Sequence, residues 1–149
     1  MHDVKITPIG IIHTPFTLDE KIPRQGSFTE ETEGYIELDN SYVDGLLDLN
    51  TFTHAILIFY FHKSKFSELV QKPKRGNRPH GIFATRTPQR PSGIGNSIVK
   101  IKSIKDNIVK FFGADMIDGT PLLDIKPYIS DFDSYPEAGR GWLEDVWRK

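Results

Sequence analysis

The chain is predicted to be mostly β, a single antiparallel barrel or sandwich with a few short helices, on three observations. Six short runs are rich in β-branched and aromatic residues, Gly, Pro, Asp and Asn interrupt them at short intervals, and helical periodicity never lasts long. Residues 4–13 form the first run, where Pro8 and Gly10 mark an edge or a bulge rather than a central position. Residues 34–39 alternate in the manner of a half-buried strand. Residues 53–62 are almost continuously apolar and aromatic, which suits a strand buried on both faces or a barrel wall. Residues 81–85, 97–104 and 108–112 add three more strands, the last two joined by the turn chemistry of Lys105-Asp106-Asn107. Asn40-Ser41 is placed to cap a turn running to Leu46, and residues 63–70 allow two helical turns before Pro73 stops them.

At 149 residues the chain is expected to form one domain, 1–149, and a chain of this size buries about two-thirds of its unfolded surface. It has no cysteine, which excludes disulfide frameworks, thiolate metal sites and thiol nucleophiles. The histidines lack metal-ligand spacing, with His54 and His62 too far apart on one strand, so no metal is expected. No charged leader and no membrane-length apolar run is seen, and a cytoplasmic location with no membrane partner is the default expectation.

A net charge of -1 hides a strong segregation of sign. Residues 69–105 hold nine cations and no acid, while the flanks carry all 20 acidic residues and the remaining 10 basic ones. The flanks can wrap and neutralise the middle, or the middle can serve as an electrostatic footprint for phosphate. Two proline-, glycine- and arginine-rich stretches lie inside it: Arg75-Gly76-Asn77-Arg78-Pro79, and Arg86-Thr87-Pro88-Gln89-Arg90-Pro91-Ser92-Gly93-Ile94-Gly95. Prolines stiffen the second stretch, so Arg86 and Arg90 are pre-oriented as two-pronged donors for phosphate or carboxylate. The same loop also reads as a rigid surface segment with solvated arginines. Gly93-Ile94-Gly95 lacks the third glycine and the long helix of a dinucleotide fingerprint, and no phosphate-binding loop of the glycine-lysine type is present. A second cluster, Asp115, Asp118, Asp124, Lys126 and Tyr128 around Asp118-Gly119-Thr120-Pro121, is either ordinary turn chemistry or a site for an ammonium, a ribose hydroxyl or an amine proton.

Together these stretches resemble the TrmO (YaeB) family of tRNA methyltransferases. The likeness runs through Pro8-Ile9-Gly10, Ile12-His13-Thr14-Pro15-Phe16, Pro23-Arg24-Gln25, Gly45-Leu46 with Asp48-Leu49, and Phe52, His54 and Phe61-His62. Its most specific parts are Gly81-Ile82-Phe83-Ala84-Thr85-Arg86 and Asp118-Gly119-Thr120-Pro121 with Asp124-Ile125-Lys126-Pro127-Tyr128. The resemblance implies a single-sheeted barrel, a homodimer, and transfer of a methyl group from S-adenosylmethionine to N6 of the threonylcarbamoylated adenosine beside the tRNA anticodon. By the same resemblance, the cofactor is approached by Gly26, Ser27, Phe28, His62, Lys63, Arg86, Asn96, Phe112, Gly113, Ala114 and Asp115. The chain departs from the family pattern at Ser92-Gly93, where Asn-Pro is usual, and at Gln89, where histidine is common; both changes suggest a looser loop.

Methyl transfer to an exocyclic amine needs alignment, exclusion of water and an acceptor for one proton. Asp118 or Asp124 is the candidate acceptor, with the arginine loop and the aspartate bend expected to converge on one methyl donor. Arg24, Arg90 and Lys126 are candidates to steer phosphate or orient the base, while Lys74 and Arg75, within residues 72–78, track the RNA backbone. Other readings are a methyltransferase of the same build acting on another RNA or a small molecule, a non-catalytic RNA- or nucleotide-binding barrel, and a module that docks an acidic protein.

Overall fold

β3 (His54–Tyr60) alternates strictly between buried and more accessible side chains, with Ala55, Leu57 and Phe59 pointing inward. Its near-continuous apolarity is therefore that of a barrel wall, because the outward Ile56, Ile58 and Tyr60 are apolar as well. The computed structural model describes residues 1–17, 22 and 31–147. Among these, β1 (Gly10–His13), β2 (Glu33–Leu38), β6 (Ile94–Lys105), β7 (Ile108–Phe112) and β8 (Thr120–Pro127) join β3 in a closed barrel of order β1-β2-β7-β6-β3-β8. Every pairing is antiparallel. β4 (Val70–Gln71) and β5 (His80–Gly81) form a separate two-stranded ribbon on the basic segment. Two single-turn helices, α1 (Ser130–Asp133) and α2 (Leu143–Val146), follow the barrel. No helix among the described residues is long and apolar enough to cross a membrane.

The barrel interior is filled by Ile12, Ile36, Leu38, Leu57, Phe59, Val99, Val109, Phe111 and Leu122, all close to fully buried. Burial of each such side chain stabilises the fold by about 1.5–3 kcal/mol before the entropy of ordering is subtracted. The β6–β7 hairpin turns through two residues, with Lys105 paired to Ile108 and Asp106 left-handed at φ 54°. Aspartate tolerates that conformation better than most residues.

Four expectations are corrected. Residues 4–9 are not strand: β1 starts at Gly10, because Pro8 cannot donate to a ladder, although Ile9 still donates to Leu122 O at 2.7 Å. Residues 81–85 turn out of β5 into a 3-10 turn, Ile82–Ala84, which buries Ile82 and leaves Phe83 exposed. Residues 63–70 form no helix. The fourth is β8, whose residues the sequence presents only as a turn-rich cluster.

β8 hides in the sequence because of a bulge. Asp124 pairs with Ile58 and Leu122 with Phe59, so Leu123 is an extra residue and the inward Leu122 and Ile125 stand three apart instead of two. The bulge carries Asp124 to the outer wall, where its Oδ1 accepts from Ile125 N at 2.8 Å. β6 uses the same device at Lys102, between the inward Ile101 and Ile104.

Candidate functional site

The strand registers determine what meets at each mouth of the barrel. Ile12 faces Thr120, Glu33 faces Phe112, and Tyr60 faces Ile94, so the exits of β1, β3 and β7 share one rim with the starts of β2, β6 and β8. Across this rim runs the connection from Gly113 to Gly119. Gly113 N and Ala114 N both donate to Thr32 O, at 2.9 and 3.1 Å, and Gly119 N donates to Ile12 O at 2.9 Å. Ala114 and Met116 are buried beneath it, and Thr14 Oγ1 donates to Met116 O at 2.7 Å. The connection thereby plugs the mouth and presents its aspartates. Asp115 accepts from the buried Ser97 hydroxyl at 2.6 Å. Asp118 accepts from Thr14 N at 3.0 Å and lies 3.5 Å from His13 Nδ1.

His13 is held on three sides. Its Nε2 is 3.4 Å from Glu37 Oε1, its Nδ1 faces Asp118, and its ring stacks on Tyr35 at 4.7 Å between centroids. With Thr14, Pro15, Glu33, Tyr35 and Asp118 it lines a cleft of about 350 Å³. Such an arrangement can take a proton at Asp118 and pass charge to an imidazole between two carboxylates.

His62 leaves β3 beside the same plug. A Cβ placed on Gly119, which has φ 84°, would sit 3.9 Å from His62 Nε2. Its imidazole is pushed below the usual histidine range, first by burial and then by the charge of Lys63, which favours the neutral form. A neutral imidazole beside the plug that carries Asp115 and Asp118 is compatible with a ligand that is itself positively charged.

The arginine-loop base reaches this rim too. Gly93 O accepts from Phe61 N at 2.8 Å, and Gly93 N donates to Arg90 O at 3.1 Å. Gly93 has φ 62°, and any Cβ there would lie 2.8 Å from the Tyr60 ring. Glycine thus answers a backbone requirement at the point where a looser loop was expected. Arg90 Nη1 donates to Thr85 O at 2.8 Å and Thr87 O at 3.3 Å, so this guanidinium braces its own loop. Arg86 is exposed on the same loop.

The candidate residues accordingly fall into three places. His62, Lys63, Phe112, Gly113, Ala114, Asp115 and Asp118 gather at the plugged rim. Asn96 and Asp124 flank Ile58 on the outer wall of the barrel, and Lys126, opposite Ile56, lies on the same wall. Lys74, Arg75, Arg86 and Arg90 belong to the basic segment outside the barrel. Arg24, Gly26, Ser27 and Phe28 lie outside the described residues. Reading the sequence alone missed His13, Tyr35, Glu37 and Ser97 as parts of the site. The partners are 24 residues apart for His13 and Glu37 and 104 for Thr14 and Asp118, and no local spacing carries that information.

Comparison with known proteins gives consistent matches. Residues 11–134 match the profile of the tRNA-methyltransferase O N-terminal domain. A probable S-adenosyl-L-methionine-binding protein of Pyrococcus abyssi is 45% identical over 92% of this chain and 74% of its own length. The tRNA (adenine(37)-N6)-methyltransferase of Mus musculus is 37% identical over 85% of this chain, which spans 31% of that protein. A crystal structure of TrmO from Pseudomonas aeruginosa superposes with a TM-score of 0.82 at 33% identity, over 97% of this chain and 63% of that one.

Proposed function

The chain belongs to the tRNA-methyltransferase O family, and from that membership we propose that it is an S-adenosylmethionine-dependent methyltransferase acting on N6 of an adenosine beside the tRNA anticodon. The acceptor adenosine carries a threonylcarbamoyl group, as the family resemblance implies. A tRNA substrate is consistent with work in the cytoplasm. The observation that carries the reading is the Asp118 carboxylate, fixed by Thr14 N and flanked by His13, at the edge of the cleft in the plugged rim.

The rim fits the cofactor chemically. The neutral tendency of His62 and the carboxylates of Asp115 and Asp118 suit a ligand bearing a sulfonium and an amine. When bound, S-adenosylmethionine supplies an electrophilic methyl group. His62 and the backbone of residues 112–115 would hold it, with Arg86 pairing to a carboxylate. Asp118 takes the proton that the adenine amine gives up, and His13 and Glu37 stabilise the resulting change of charge. A base in an anticodon loop is already outside a duplex, so no strand opening is required of the protein. Asp124 is the weaker candidate, since its Oδ1 is turned back on Ile125 N on the outer wall.

The test is a single-turnover assay with S-adenosylmethionine and tRNA, followed by digestion and mass analysis of nucleosides. One adenosine derivative gains a methyl group. Asp118→Asn slows transfer by about 100-fold, within the usual contribution of a general base, and Asp124→Asn slows it by less than about threefold. Full activity in Asp118→Asn removes the acceptor role.

The chain is also proposed to act as a homodimer. Tyr60, Ile94 and Ile98 are 43%, 40% and 46% exposed on one wall, where Tyr60 pairs with Ile94 and Ile98 with Ile56. These side chains, joined by Ile58 along β3 and interrupted on β6 by Asn96, form an apolar wall of the kind that supports an isologous contact.

A further inference from the structure

The strongest feature that the rim chemistry does not use is a clamp between the basic ribbon and the C-terminal segment. Trp142 stacks on His80 with ring centroids 4.0 Å apart and planes 14° from parallel, and its Nε1 donates to Ala84 O at 2.8 Å. Trp147 receives two guanidiniums on its ring, with Arg75 Cζ at 4.9 Å and Arg140 Cζ at 5.5 Å. Gly76 makes the close approach possible: its φ is 83°, and a Cβ there would lie 3.2 Å from Val146 Cγ1. Between ribbon and helix α2 a cavity of about 440 Å³ opens, lined by Asn77, Arg78, His80, Trp142, Asp145 and Val146.

This lining has a specific chemistry. The stacked His80–Trp142 pair is a flat aromatic platform, Val146 adds an apolar edge, Asn77 both donates and accepts, Asp145 accepts, and Arg78 donates. A planar heterocycle with mixed donor and acceptor edges fits that combination, and a phosphate attached to it meets Arg78 and the neighbouring Lys74 and Arg75. Single-stranded RNA sites are built the same way, from cations along the backbone and aromatic rings under the bases. An acidic peptide would have no use for the platform and would meet Asp145.

We propose that this cavity is a second nucleobase-binding site, which takes an unpaired base of the tRNA while the rim acts on the target adenosine. The proposal rests on tRNA being the substrate. An RNA base and the adenine of the cofactor share the chemistry, and the experiment separates them.

The chain has two tryptophans, and both belong to this clamp, so tryptophan emission, excited selectively over the five tyrosines, reports on it alone. The full chain is titrated with an anticodon stem-loop RNA, with inorganic polyphosphate, and with S-adenosylmethionine alone. The RNA is expected to quench the emission, and the other two are not. Asp145→Ala and Asn77→Ala, which leave the His80–Trp142 stack and both fluorophores in place, weaken the RNA-dependent quench about fivefold in affinity, and unchanged affinity in both overturns the proposal. Quenching by polyphosphate to the same depth reduces the site to charge alone and overturns the proposal. Quenching by S-adenosylmethionine alone assigns the cavity to the cofactor and overturns it as well. Methylation of tRNA with unmoved emission sinks the second site and leaves the methyltransferase reading standing; quenching by RNA with no methylation of any tRNA does the reverse.

Discussion

Gly93 and His62 show how single residues fix the rim. Gly93 combines a left-handed backbone with a ring directly over its Cα, so Gly93→Ala meets both strain and collision. A loss of about 1–3 kcal/mol is expected in urea unfolding, and an unchanged midpoint would show that the Tyr60 ring gives way freely. His62 has a folded pKa below its ordinary value of 6.5. The unfolded chain therefore binds this proton more readily than the folded one, and the stability present above 6.5 is lost as pH falls toward the folded value. As pH falls through 6.5 and below, the wild type should lose stability relative to His62→Gln, and should bind S-adenosylmethionine more weakly as the ring gains charge. Parallel pH profiles for the two proteins would contradict this. At this scale the sequence was a partial guide: Asp118 was legible as a carboxylate in a turn, whereas His13 was passed over because its partners are brought to it only by barrel closure.

At the scale of elements, the strands that could be read were those whose alternation is unbroken. β7 (Ile108–Phe112) matched residue for residue, and β2 and β3 to within one or two. β8 was lost because Leu123 shifts the inward set by one and because Pro121 and Pro127 argue against a strand. A bulge residue is an insertion into an otherwise regular ladder, which makes its removal informative. Deleting Leu123 leaves Leu122 and Ile125 inward and should retain cooperative unfolding. Deleting Ile125 swings Lys126 toward the interior and should abolish it, since an unpaired buried ammonium is not tolerated. Circular dichroism melts of the two deletions distinguish the outcomes, and equal damage from both would refute the reading of the bulge. The arginine-rich segment was legible as a binding loop by composition, yet Arg90 turned out to brace its own carbonyls.

For the molecule as a whole, the fold class, the clustering of cations and the family likeness were visible in the chain before any coordinate. The division of labour between rim, wall and basic ribbon was not, because it depends on which strands are neighbours. The apolar wall carries the prediction that belongs here. Sedimentation of the wild type should give a dimer, and Ile98→Glu, at a half-exposed position facing Ile56, should give a folded monomer. A wild-type monomer at every accessible concentration would leave that wall without the proposed partner.

Closure of the barrel has a consequence for how the protein is made. β1 is hydrogen-bonded to both β2 and β8, so the first strand of the barrel to leave the ribosome waits for the barrel's last one before its second edge is covered. Until residues 120–127 have emerged, the nascent chain carries two open ladder edges, the condition that invites pairing between chains. Synthesis that stalls before that point should therefore yield sticky, protease-sensitive fragments, and release of the last strand should end the hazard in one step.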